Sequence, residues 1–127
     1  MNLLLDTHAF LWWMVGDDKL SMAAAEAIRS ATVVHVSAAT AWEIATKARL
    51  GKLHGFGHIA ADLTGSLLAH GFPPRPISFE AGTLAGTLAH DHRDPFDRML
   101  IAQAKIDRLQ LVSNERLFDT FSVERLW

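Results

Sequence analysis

Acidic residues in this chain stand where strands and helices meet. Asp6 closes the apolar run Asn2-Leu3-Leu4-Leu5, and Glu43 follows the β-branched run Thr32 to Val36. Asp94 and Asp97 open a helical stretch, and Glu115 comes just after Leu109 to Ser113. In an open α/β sheet, ligands bind in the crevice beyond the carboxyl ends of the strands, so acids at those ends converge. Several carboxylates in one crevice repel one another and call for a cation. With Mg²⁺ or Mn²⁺ between them, the chemistry to expect is phosphoryl transfer or phosphodiester cleavage.

Each acid also has a structural role open to it. Asp6 either caps the helix that starts at Thr7 or offers a ligand, and residue type alone does not choose. Thr40-Ala41-Trp42-Glu43 has the capping-box spacing, which would turn Glu43 back on its own helix. If Ser37 is the cap instead, Glu43 lies in the second turn and can face the crevice, with Lys47 four residues on as an ion-pair partner. In Asp94-Pro95-Phe96-Asp97, Asp94 is the expected cap and Asp97 the expected ligand. Ser113-Asn114-Glu115 puts a hydroxyl, an amide and a carboxylate past a buried strand, a cluster that a strand-to-helix turn also favours for its own hydrogen bonds. Asp119 is a further acid, expected to be solvated. His90-Asp91-His92 reads as a solvated loop rather than a transition-metal site, because cysteine and a third spaced ligand are both lacking. Trp12, Trp13 and Trp42 are expected mostly in the core, although adjacent Trp12 and Trp13 cannot both face inward, so one should cover a partner.

With 127 residues, half of them hydrophobic, the chain is expected to be one domain with a sizeable core. A formal net charge of −2 argues against an overall basic nucleic-acid binder. Acids committed to metal would leave the rest of the surface basic on balance, and Arg75, Arg93, Arg98, Lys47, Arg49 and Lys52 are the residues that would line a phosphate path. No cysteine is present, which removes disulfides and thiolate metal sites. The N-terminus lacks a basic region and Asp6 interrupts its apolar run, so no signal peptide is expected, and no apolar run reaches the ~20 residues of a membrane span. A cytoplasmic protein with no membrane contact is the expectation.

The elements that must position these acids alternate. Leu3 to Leu5 are continuously apolar, as in a parallel strand buried on both faces. Thr7 to Val15 should be helical and stop at Gly16-Asp17-Asp18. Ser21 caps a helix from Met22 to about Arg29, Thr32 to Val36 is the second strand, and Ala38 to Leu50 is a helix ended by Gly51. Lys52 to His58 reads as a loop and Ile59 to His70 as one helix stopped by Gly71. Phe72 to Pro76 must be extended, since each proline drives its predecessor out of the helical region. Ser78 caps a helix to about Ala89, His90 to Arg93 is a polar loop, and a helix runs from Pro95 to about Asp107. Leu109 to Val112 is another buried strand, with a short edge strand within Ser122 to Leu126. Such alternation makes an α/β domain with a mainly parallel sheet and right-handed crossovers.

Four segments together resemble the PIN-domain ribonucleases, and specifically the VapC-type toxins of bacterial toxin–antitoxin pairs. They are Leu3-Leu4-Leu5-Asp6-Thr7-His8; Ser37-Ala38-Ala39-Thr40-Ala41-Trp42-Glu43-Ile44 with Lys47 to Leu53; His92-Arg93-Asp94-Pro95-Phe96-Asp97-Arg98-Met99-Leu100-Ile101-Ala102-Gln103-Ala104; and Leu111-Val112-Ser113-Asn114-Glu115. The resemblance implies a three-layer α/β/α domain over residues 1–127 and a Mg²⁺- or Mn²⁺-dependent endoribonuclease whose acids are Asp6, Glu43, Asp97 and Glu115. It further implies a cognate antitoxin, a homodimer and a hetero-oligomer with that antitoxin. The family often has Asp at the fourth acidic place, so Glu115, Asn114 or Asp119 is left to complete the site. Around the ligands, Thr7 and Ser113 would hold waters or oxygens in place, with Asn114, Asp94 and Arg98 as further orienting or substrate-binding residues. A receiver-like domain would need an acidic pair after the first strand, and a haloacid dehalogenase-type phosphatase a second aspartate at position 8, where His8 stands. A catalytically degenerate module that only binds RNA or a protein is the remaining alternative.

Overall fold

The structure is a computed structural model that describes residues 1–127. Five strands, β1 (Asn2–Leu5), β2 (Val33–Ser37), β3 (Pro74–Arg75), β4 (Gln110–Val112) and β5 (Arg125–Leu126), form one sheet in the order β3-β2-β1-β4-β5. Every pairing is parallel, so the mainly parallel sheet expected is wholly parallel. Leu4 pairs with His35 on one side and Leu111 on the other, which makes β1 the central strand. That position explains its composition, because a strand covered on both faces has no polar side.

Alternate residues of the strands feed two cores. Leu3, Leu5, Val34, Val36 and Val112 join the larger cluster, and Leu4 and Leu111 the smaller one on the opposite face. The larger is covered by α1 (Thr7–Val15), α2 (Met22–Ser30), α3 (Ala38–Arg49), α4 (Gly57–Ala61) and α5 (Leu63–Ala69), which contribute Phe10, Ile28, Ile44, Ile59 and Leu67 among others. The smaller is covered by Leu100, Ile101 and Ala104 of α7 (Pro95–Asp107), with Phe118 and Phe121 of a 3-10 helix at Arg116–Phe121. Between β3 and α7 lies α6 (Phe79–Thr87), capped by Ser78 as expected. Full burial of each large apolar side chain contributes about 1.5–3 kcal/mol, which is what holds the three layers together.

Several departures have identifiable causes. The helix expected over Ile59 to His70 is broken at Asp62, whose backbone leaves the helical region and whose carboxylate accepts from Gly65 N–H at 2.9 Å, starting α5 afresh. The extended segment Phe72 to Pro76 contains a true strand, pairing Val36 with Pro74 and Ser37 with Arg75 at the sheet edge, where a proline without an N–H is tolerated. Trp12 and Trp13 both face partly inward, Trp12 packing on Trp127 and Trp13 on Phe72. Trp42 is the exposed one, at 59%, packed edge-on against Phe96 instead of filling the core. No helix is long and apolar enough to cross a membrane.

Candidate active site

Parallel strands bring their carboxyl ends to one edge, and three acids gather there. Asp6 directly follows β1, with its own N–H bonded to the Val112 carbonyl at 3.1 Å, so the sheet fixes its backbone. Its carboxylate accepts from Ala9 N–H at 2.7 Å and thereby caps α1. Cap and crevice position coincide in this one residue, which is only 7% exposed. Burial pushes the Asp6 carboxyl above the usual carboxylate range, and the Glu43 charge adds to that. Hydrogen bonding from the Ser113 hydroxyl and Ala9 N–H, with nearby His8, pulls the other way without prevailing.

Glu43 owes its direction to Ser37. The Ser37 hydroxyl accepts from Ala39 N–H at 3.0 Å, so α3 begins at Ala38 and the capping box at Thr40 does not form. Glu43 is therefore in the second turn, buried at 8% exposure. The Thr7 hydroxyl donates to one of its oxygens, and Lys47 Nζ donates to the other at 2.7 Å. Both sides of the expectation hold at once, since Glu43 faces the acid cluster and also keeps its ion pair.

Asp94 is the cap of α7, accepting from Phe96 N–H at 2.9 Å and Asp97 N–H at 3.1 Å, with Pro95 at the first helical position. That leaves Asp97 free to project from the first turn. Burial raises its carboxyl pKa; the hydrogen bond from His92 opposes, while the Asp94 and Glu43 charges push further upward. Glu43 thus acts on both Asp6 and Asp97, and the three form one electrostatic unit.

Of the remaining candidates, Ser113 adjoins Asp6, and Glu115 and Asp119 have partners of their own. Ser113 is fully buried beside Asp6 and also accepts from Glu115 N–H at 3.0 Å. Asn114 is exposed. Glu115 is exposed too, and its carboxylate caps the 3-10 helix by accepting from Leu117 N–H at 3.3 Å. Asp119 forms a two-point pair with Arg125 at 2.8 and 3.0 Å, which holds its carboxyl below the ordinary range. Arg98 is not placed to meet substrate. Its guanidinium donates to the carbonyls of Ala85, Leu88, His90 and His92 at 2.8–2.9 Å, with a longer contact to Gly86 at 3.5 Å. Those donors satisfy the open carbonyls at the end of α6 and pin the loop after it. Arg75 is likewise committed, to Asp107 at 2.7 Å.

His92, expected to be solvated in its loop, is instead partly buried against the acids. His92 Nε2 lies 2.9 Å from an Asp97 oxygen, steering the carboxylate from a loop that Arg98 holds in shape. A separation of five residues across a helix start carries no periodic signal, so only the folded loop reveals the pair.

No group of three or more His, Asp or Glu side chains is drawn together tightly enough to hold a metal ion outright. The donor set nevertheless has the right chemistry for Mg²⁺ or Mn²⁺, which take oxygen ligands, and Mg²⁺ typically keeps several waters and uses one or two carboxylates. Asp6 and Asp97, both disfavoured as free anions, are the two that would hold it, since both oxygens of Glu43 already have donors.

No curated protein matches the chain. Among solved structures it is similar to VapBC2 from Rickettsia felis, bound to a DNA fragment from its promoter, with a TM-score of 0.69, 14% identity and full coverage of both chains. It is similar to VapC20 of Mycobacterium tuberculosis, a sarcin–ricin loop cleaving toxin, with a TM-score of 0.69, 16% identity and 95% of each chain covered. FitAcB from Neisseria gonorrhoeae gives a TM-score of 0.63 at 16% identity over 98% of this chain and 96% of that one. At such identities these likenesses speak for the fold. The PIN domain family matches residues 3–123, nearly the whole of the sequence, and this chain belongs to the PIN-domain family.

Proposed function

We propose that this chain is a Mg²⁺- or Mn²⁺-dependent endoribonuclease and the toxin of a toxin–antitoxin pair. The observation that carries the reading is the pair Asp6 and Asp97, both raised in pKa by burial and by the shared charge of Glu43. Asp6 is buried and Asp97 half-buried, each is pushed further upward by the charge of Glu43, and carboxylates perturbed in this way mark functional sites. Membership of the PIN family and likeness to VapC structures support the same reading.

In this account Asp6 and Asp97 present the ligand oxygens. Thr7 and Lys47 hold Glu43 by one oxygen each, so its charge, which acts on both aspartates, does not swing into solvent. His92 fixes the rotation of Asp97, and the Ser113 hydroxyl that of Asp6. A bound Mg²⁺ or Mn²⁺ supplies a water of lowered pKa and positive charge for the phosphate oxygens. Asp94 acts as a helix cap and Glu115 as the cap of the 3-10 helix, both outside the reacting group.

The toxin reading carries two partners. A cognate antitoxin would bind over the crevice, as the toxin–antitoxin complexes among the similar structures make natural. A homodimer has a candidate face in Trp42 and Ile77, exposed at 59 and 40% beside a shallow recess of about 200 Å³. A second reading, a module that binds RNA or protein without cutting, is favoured by one observation: Glu43 is fully paired and no three-ligand cluster exists. Incubating RNA with purified protein and Mn²⁺, with a chelator control, separates the two: metal-dependent cleavage supports the nuclease, and binding without cleavage supports the module.

A further inference from the structure

The acid cluster would repel an RNA strand on its own, and a basic recess adjoins it. Between the first turns of α1 and the segment after α3 lies a hollow of about 270 Å³ lined by Thr7, His8, Lys47, Lys52, His54 and Phe56, with two leucines and no carboxylate. Its size is near the lower bound of ligand sites, ~300 Å³, which suits a single nucleotide unit better than a larger ligand. Two of its residues are shared with the acids, since Thr7 and Lys47 are the donors to Glu43. Lys52 and His54 are exposed, so neither is committed to the core. The segment is set by the end of α3, where Lys52 N–H bonds to the Lys47 carbonyl at 2.8 Å and Gly51 turns at φ 70°. A positive φ is open to glycine without cost, which lets the chain double back and bring Lys52 beside Lys47.

The geometry points to this recess as a phosphate-binding subsite for the RNA nucleotide next to the scissile one, a step that rests on the nuclease reading above. Of the six cations that the sequence offered for a phosphate path, Arg75 is paired with Asp107, Arg98 with backbone carbonyls and Lys47 with Glu43, whereas Lys52 lines the recess with no carboxylate partner. His8 and His54 supply two further ring donors, and Phe56 gives a flat apolar wall for a base or ribose, the combination by which single strands are held without base reading. Substrate is thereby drawn across the acids by contacts beside them, and Lys47 marks the border between the two.

The test uses the full chain in EDTA with a fluorescein-labelled, mixed-sequence single-stranded RNA dodecamer, measuring Kd by anisotropy over a range of NaCl. Each phosphate contact on a single strand contributes about 0.7 to the salt slope, or roughly a 4-fold change in Kd at 0.15 M salt. Lys52→Ala is expected to weaken binding by about that factor and to lower the slope by ~0.7, His54→Ala to weaken binding with the slope unchanged, and Lys19→Ala, in the turn between α1 and α2, to do neither. Lys52→Arg should restore the slope. Parent-like Kd and slope in both recess variants, or no measurable RNA binding by the parent, would overturn the subsite. Cleavage with Mn²⁺ is scored separately. A parent that binds through the recess without cutting RNA keeps the subsite and loses the nuclease, and a parent that cuts while both variants bind normally does the reverse.

Discussion

Replacing Asp6 by Asn isolates what its charge does. Asparagine caps a helix about as well as aspartate, so the bond from Ala9 N–H at 2.7 Å is kept. The favourable helix-dipole interaction, about 0.3–1 kcal/mol, is lost. Against it stands burial of the ionised group, and burial prevails, because the carboxyl is raised in pKa despite the cap, the Ser113 hydroxyl and His8. Metal-free Asp6→Asn should therefore be at least as stable as the parent at pH 7. Asp6→Ala, which removes the cap, should lose about 1 kcal/mol relative to Asp6→Asn, or roughly 4 °C in Tm for a chain of this length. The pH dependence follows from the sign of the shift. A carboxyl with its folded pKa raised above the unfolded 3.8 gives the parent a contribution that is complete below that value and is lost as pH rises through the folded pKa. The parent's stability relative to Asp6→Asn should thus fall as pH rises from 3.8 through the folded pKa. Adding Mn²⁺ at 100 times its Kd should stabilise the parent by ~2.7 kcal/mol, about 10 °C, and Asp6→Asn far less. Thermal unfolding in EDTA and in Mn²⁺ reads all of these. An Asp6→Asn protein less stable than the parent by more than about 1 kcal/mol without metal would refute the reasoning, since the charge would then be welcome where it sits.

Other perturbations reach different parts of the account. Thr7→Val keeps the shape but takes the donor from one oxygen of Glu43; a hydrogen bond to a charged group is worth about 1.5–3 kcal/mol, a loss that urea unfolding would register. Arg98→Lys replaces a planar five-donor fork by a point charge, so amide exchange over residues 85–92 should accelerate at least ~10-fold, with unchanged exchange in β1 as the internal control. Arg108 ends α7 at φ 54°, and Arg108→Gly should gain roughly 0.5–1 kcal/mol by chemical denaturation, because glycine meets no steric cost there.

What could be read from the sequence was what local chemistry decides. Asp94-Pro95 fixed the start of α7 and Ser78 that of α6, because a cap acts within three residues of itself. The continuous apolar run of β1 announced a strand buried on both faces. Glu43 was ambiguous for the same reason, since Ser37 and Thr40 are both good caps and only the pairing of β2 chooses Ser37. Features made by distant chain segments were hidden. A two-residue strand at Pro74–Arg75 exists through Val36 and Ser37, and the 3-10 helix at Arg116–Phe121 through the core that accepts Phe118 and Phe121. His92 meets Asp97 because Arg98, expected as an orienting or substrate-binding residue, shapes the loop between α6 and α7 through the carbonyls it binds.

The central claim is that Asp6 and Asp97 together hold a cation that cuts RNA. Its most direct test is cleavage of a mixed RNA pool by the purified chain in Mg²⁺ or Mn²⁺, beside an EDTA control and the Asp97→Asn variant with its fold verified by circular dichroism. The account predicts cutting that requires metal and falls at least ~100-fold in Asp97→Asn, on the scale of losing a group that acts on the reacting centre. Cleavage by Asp97→Asn at the parent's rate, or by the parent in EDTA, would contradict it.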